Sequence, residues 1–421
     1  MTSNTECYVY IALPGQTDFV TAGRFVVEPG RRESPVGRFV YGRSYLARED
    51  AVPIDPIELK LDGTTYENRR LNGVFGALRD ASPDYWGRRV IEKHVGVAEL
   101  TEIDYLLHSP DDRAGALGFG LGQEPPAPRR EFNRTMDLGK LQEIADAIIE
   151  DKDLFDGPDA LQVYELLAGT SMGGARPKTV VEDVEGLWVA KLNRADDRWN
   201  HARFEHAMLV LARMCGICTA EPRVIQVGDR DALLVKRFDR EMTETGYRRA
   251  RMLSALTLLR ADENERDKWS YVELAEELRR LSSQPLDDAQ ELYRRMVFNA
   301  LISNADDHPR NHAVVALSDD WRLSPAYDLT PSSPPSQEQR DLALICGDEG
   351  RYANARNLLT QCERFHVKRA DAIALMADME KTVRTRWYES ARACGVSEQD
   401  CERLSGAFAY PGFRIGWETV V

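Results

Sequence analysis

The stretch Asn304 to Asn311, NADDHPRN, closes a helical run and precedes the strand-like HAVVAL (312–317). Phosphoryl transfer from a nucleotide needs a carboxylate that accepts the hydroxyl proton and, five residues on, an amide oxygen that holds a metal ion on the phosphates. Asp306 and Asn311 have that spacing. A second metal-binding carboxylate is also required, and Asp328 in LSPAYDLTP (323–331) follows 17 residues after Asn311. One hairpin would bring the three together, with Asp306 as the candidate base and Asn311 and Asp328 as candidate metal ligands.

Upstream, the order of elements agrees with that reading. A Gly-rich loop, Gly169 to Lys178 (GTSMGGARPK), precedes two strand-like runs, TVVEDV (179–184) and GLWVAKL (186–192). The loop is expected to lay backbone N–H groups over phosphates, with Ser171, Gly173, Gly174 and Lys178 as the candidate contacts. Lys191 lies in an apolar strand, where a lysine is uncommon unless paired, and Glu205 in the first turn of the next helix is its expected partner. The helix runs over 201–215, with Phe204, Ala207, Met208, Leu211 and Ala212 as its apolar stripe. PRVIQVG (222–228) and DALLVKRFDR (231–240) read as two more strands, the second ending in a hinge. The loop has neither the Walker spacing nor GxGxxGxV, and no HRD precedes Asp306.

The flanks set the fold class. Residues 6–65 alternate apolar runs with Gly and Pro (CYVYIAL, RFVVEPG, GRFVYGRSYL, IELKL), which predicts a twisted antiparallel sheet. A loop and helix over 72–94 are expected to cover it. QEPPAPRR (123–130) reads as an extended linker. Helical spacing begins at Leu138 to Ile149, and a short helix ends near Ala168. Beyond residue 250 the periodicity is helical: Ser270 and Glu273 form a capping box, Leu292 to Leu301 mark one helix, and about 369 to 388 another. The expected class is α+β: a β-rich domain (1–122), a linker (123–136), a mixed kinase small lobe with phosphate loop and hinge (137–240), and an all-helical large lobe with the catalytic loop (241–421).

Of the 421 residues 43% are hydrophobic and 29% charged, which excludes a disordered chain or a coiled-coil rod. No run reaches the roughly 18 apolar residues of a membrane helix, and the first residues lack a signal-peptide pattern, so a cytoplasmic protein without a membrane partner is expected. Lys and Arg number 55 against 69 Asp and Glu; the net charge of −14 disfavours direct binding to DNA. The seven cysteines follow no disulfide framework. Cys215 and Cys218 form a lone CxxC without a second pair at zinc spacing, so packing is the expected role. Asp307 and His308 are expected to be structural.

Jointly, SMGGARPK (171–178), VAKL (189–192), the Glu205 helix, VKRFDR (235–240), NADDHPRN and PAYDLTPS (325–332) resemble the HipA-like serine/threonine kinases of bacterial toxin–antitoxin systems. GVFGALRDASPDYWGRR (73–89) and DDRAGALGFG (111–120) resemble that family's first domain. The resemblance implies ATP and Mg2+ as cofactors, Lys191 on the phosphates, backbone around Lys236 and Phe238 at adenine, and Asp239 near the ribose. It further implies autophosphorylation at Ser171, a helix-turn-helix antitoxin (HipB-like) through which DNA is reached indirectly, and a protein substrate of the aminoacyl-tRNA synthetase kind. Two other readings share the D-x-x-x-x-N logic: a small-molecule phosphotransferase of the aminoglycoside type, and a pseudokinase scaffold that binds nucleotide without transfer.

Overall fold

The computed structural model describes residues 4–28, 30, 34–97, 100–128, 132–134, 138–150, 176–332 and 336–417. They divide into two compact units, one of residues 1–195, 236–257 and 315–320, the other of 196–235, 258–314 and 321–421. The short helix expected before Ala168 and most of the Gly-rich loop, including Ser171, Gly173 and Gly174, lie outside the described residues.

In the first unit, strands β1 (Glu6–Ala12), β2 (Phe19–Glu28), β3 (Val36–Tyr41), β4 (Tyr66–Asn68) and β5 (Leu117–Gly120) form a sheet in the order β4-β3-β2-β1-β5. Every pairing is antiparallel. The central β1 is covered on both faces: Val9, Tyr10 and Ile11 are all buried, which explains an unbroken apolar run in place of strict alternation. The run IELKL, expected as a strand, is a turn instead. The Asp55 carboxylate accepts the Ile57 and Glu58 N–H groups at 2.7 and 3.1 Å, and Leu59 N–H closes on the Asp55 carbonyl at 3.0 Å. A local side-chain acceptor thereby competes with the strand ladder.

The covering helix falls into two pieces, Gly76–Asp80 and Tyr85–Val95. The second begins at Asp84, whose side chain accepts Gly87 N–H, and ends at Gly96 in the left-handed region (φ +70°). Its Trp86, Val90 and Ile91 are buried. Helix Leu138–Ile149 forms as its periodicity predicts. Then come β6 (Asn133–Arg134), β7 (Lys178–Asp183) and β8 (Gly186–Leu192), with β6 parallel to β7 and β7 antiparallel to β8.

In the second unit, Asn200 caps helix His201–Met214, and β9 (Pro222–Val227) pairs antiparallel with β10 (Arg230–Lys236). β10 stops before the hinge, four residues earlier than its apolar run predicts. Ser270 Oγ accepts Glu273 N–H and caps helix Tyr271–Leu281, which packs on Pro285–Leu301. The latter is the spine of the unit, with Leu292, Met296, Phe298, Ala300 and Leu301 fully buried. Helix Arg369–Ala393 packs on His201–Met214. No helix of the described residues is long and apolar enough to cross a membrane.

Candidate active site

The catalytic-loop residues are positioned by the end of helix Pro285–Leu301. Ser303 takes a left-handed backbone (φ +55°), so its N–H reaches the Ala300 carbonyl (3.3 Å) and Asn304 N–H reaches that of Asn299 (2.9 Å). This is a Schellman closure with serine where glycine is usual, and the strain is held by a bond from Ser303 Oγ to the Ala407 carbonyl at 2.6 Å. The chain then turns sharply: His308 N–H donates to the Asp306 carbonyl and Asn311 N–H to the His308 carbonyl, both at 2.8 Å. Asn311 Nδ2 donates to the Asp306 carbonyl at 3.3 Å, which directs its Oδ1 away from the backbone as the acceptor a metal ion requires.

Asp328 also has a left-handed backbone (φ +58°). Two bonds tie its segment to the loop: Asn304 Nδ2 to the Asp328 carbonyl at 3.5 Å, and Tyr327 Oη to the Arg310 carbonyl at 2.8 Å. The Asp306 side chain is open to solvent on one side, yet the protein packed around it pushes its carboxyl above the usual carboxylate range. His308 opposes that rise, while the Asp328 and Asp307 carboxylates add to it. Asp306, Asn311 and Asp328 are thus gathered in one unit, with Asp306 and Asp328 in electrostatic reach of each other.

Mutual repulsion of these carboxylates fits a site completed by a divalent cation. Among the described residues no three or more His, Cys, Asp or Glu side chains form a metal-binding cluster. Magnesium needs no such cage, since it takes one or two carboxylates and completes its shell with water and phosphate oxygens. Cys215 and Cys218 are free thiols; burial pushes Cys215 up to about 12, whereas Cys218 is exposed and does not pack as expected.

Beneath the loop lies a buried anchor with little local signal along the chain. Asp307 Oδ2 accepts from His312 Nε2 at 2.8 Å and from the Tyr271 hydroxyl. Asn299 Nδ2 donates to Tyr271 Oη (3.2 Å), and Asn304 Nδ2 to Asn299 Oδ1 (3.1 Å). The structural role expected of Asp307 is therefore observed, as a buried hydrogen-bonded carboxylate and not as a solvated turn. Only the spacing of Asp307 and His312 along the chain hints at it.

The residues expected to meet a nucleotide mostly fall in the first unit. Lys178 and Lys191 face each other in register across β7 and β8. Lys178 is buried, and its Nζ donates to Asp84 Oδ2 at 2.5 Å. Lys236 Nζ stands 5.6 Å from the centroid of the Trp188 ring. After it the chain enters an ionic knot. Arg237 donates to Asp112 Oδ1 (2.7 Å) and to both oxygens of Asp239 (2.9 and 2.8 Å). Arg240 donates to Asp239 Oδ2 (2.8 Å), as does Gly115 N–H (2.9 Å). Burial favours the neutral acid, but Arg237 and Arg240 outweigh it and hold the Asp239 carboxyl far below the usual range.

Asp239 is wholly inaccessible, so the expected approach of its side chain to a ribose is corrected: both oxygens are consumed by arginines and a backbone amide. Phe238, between the two knot residues, remains partly exposed. Glu205 belongs to the second unit, buried on helix His201–Met214.

Comparison with known proteins agrees with these motifs. Residues 170–387 match the HipA-like C-terminal domain, and residues 21–120 match the HipA N-terminal domain. A Sinorhizobium fredii protein named as a candidate kinase, Y4mE, is 24% identical over 320 residues, covering 71% of this chain and 72% of that protein. A solved Shewanella oneidensis MR-1 toxin–antitoxin complex of HipA, HipB and operator DNA supplies a structural likeness. Its TM-score is 0.69 at 18% identity, and it covers 95% of this chain and 94% of that one, which speaks to the fold. With one domain model spanning more than half of its length and the amino-terminal model matching as well, this chain belongs to the HipA-like family.

Proposed function

We propose that the chain is an ATP- and Mg2+-dependent serine/threonine protein kinase, the toxin of a HipBA-type pair. The observation that carries this is the gathering of Asp306, Asn311 and Asp328 around one strained loop, with Asp306 raised by its surroundings. In this reading Asp306 accepts the proton of the substrate hydroxyl, the hydroxyl oxygen forms a bond to the γ-phosphorus, and the bond from that phosphorus to ADP breaks. Asn311 Oδ1 and the Asp328 carboxylate are the groups that would hold magnesium, which when bound offsets phosphate charge. Lys191 serves the phosphates, Glu205 is a supporting carboxylate, and the backbone at Lys236 and Phe238 serves adenine.

The domain limits given above belong to the same proposal. So do three finer points: autophosphorylation at Ser171, a HipB-like antitoxin as the route to operator DNA, and an aminoacyl-tRNA synthetase as substrate. The net charge of −14 supports DNA contact through a partner over direct contact.

The test is incubation of the purified chain with γ-labelled ATP and magnesium, alone and with bacterial lysate. Label on the chain or on a lysate protein, lost in Asp306→Ala by about 10²–10⁴-fold, is the expected result. Wild type that labels nothing and matches Asp306→Ala would refute it.

A further inference from the structure

Asp84 lies in the amino-terminal part of the chain, far in sequence from any residue of the nucleotide site. Its two oxygens have separate duties. Oδ1 accepts Gly87 N–H at 2.9 Å and caps helix Tyr85–Val95, while Oδ2 accepts from Lys178 Nζ at 2.5 Å. The two side chains are 3% and 5% exposed, so the pair is shielded from water and salt screens it little. Lys178 is the last residue of the Gly-rich loop and the first of β7, directly opposite Lys191 on β8. Two ammonium groups at facing positions of an antiparallel pair repel each other. Asp84 neutralises one of them and draws it toward the helix cap.

We propose that Asp84 is a positioning residue for nucleotide binding: through Lys178 it pins the point where the phosphate loop becomes β7, and thereby the register of Lys191 on β8. On this view Lys178 is an anchor turned toward Asp84 and not a ligand of the phosphates. The inference rests on the kinase reading and adds to it a residue from the amino-terminal region.

Asp84→Asn isolates the charge, because asparagine caps a helix as well as aspartate does. The measurement is ADP affinity by calorimetry with magnesium present, alongside KM and kcat for ATP. Asp84→Asn should weaken ADP binding and raise KM on the order of tenfold, with kcat changed less than about twofold, since the displaced group lies outside the reacting atoms. Lys178→Gln should do the same, and the double variant should be no worse than either single one. Amide exchange across Lys178–Asp183 should quicken in Asp84→Asn while that of 304–311 stays unchanged.

Unaltered ADP affinity in a folded Asp84→Asn, or effects of the two substitutions that multiply, would overturn the proposal. If Asp84→Asn fails to fold, Asp84→Asn with Lys178→Gln should restore folding by removing the stranded cation. Failure to restore it would also count against the pair. A wild type that binds no ADP and transfers no phosphate would instead remove the kinase reading, and this inference with it.

Discussion

Asp55 shows how one buried carboxylate sets its own pH dependence. Burial raises it from 3.8 to about 6, although the Ile57 and Glu58 N–H groups pull the other way. A native state that keeps its proton to higher pH than the unfolded chain does is favoured fully below about pH 4, and loses that advantage as pH rises through about 6. Asp55→Asn retains the acceptor oxygen and discards the titration. Urea unfolding from pH 4 to 7 should therefore show wild type losing, relative to the variant, on the order of 2–3 kcal/mol. A constant difference would mean that Asp55 ionises as an exposed aspartate does.

Tyr271→Phe probes the loop anchor in the same way. Removing a donor from the buried Asp307 should cost about 1–3 kcal/mol in denaturant unfolding and lower phosphate transfer as well. Unchanged stability and rate would show that His312 suffices. That Asp306, Asn311 and Asp328 lie in one unit was legible because their spacing falls along a short segment. Asp84 was not, since nothing local tells which of many acidic residues will meet Lys178.

Among the elements, those whose pattern is local formed as expected: the β7–β8 pair, the Asn200-capped helix, and the helix after Ser270. Departures occur where a side chain overrides the pattern. IELKL carries strand-like alternation, but the Asp55 carboxylate bends it. The hinge strand reads as continuous to Arg240, whereas Arg237 and Asp239 turn inward to the knot and end β10 at Lys236. β5 joins the first sheet across a long stretch of sequence, a pairing that no local period encodes.

The knot also ties the DDRAG segment (111–115) to the hinge motif. Asp112 fixes Arg237, Asp111 accepts from Arg249, and the Arg113 and Gly115 carbonyls accept from Arg240. Asp112→Ala leaves Arg237 buried with less compensation and should destabilise the first unit by about 3–5 kcal/mol in chemical denaturation. A loss below about 1 kcal/mol would mean that Asp239 alone satisfies Arg237.

For the whole molecule, family membership was legible because motifs from both ends of the chain match in order, and the two domain models cover the same segments. The acidic balance disfavours direct binding to bare DNA but says nothing of which hydroxyl would receive phosphate, because substrate choice is a surface property without a local signature. The chemistry itself is testable without knowing the substrate. Single-turnover transfer from γ-labelled ATP, titrated with magnesium, compares wild type, Asp306→Ala and Asp328→Asn. The account predicts magnesium-dependent transfer by wild type, nucleotide binding without transfer by Asp306→Ala, and a shift to much higher magnesium demand or complete loss in Asp328→Asn. Transfer by both variants at the wild-type rate and magnesium dependence would contradict it.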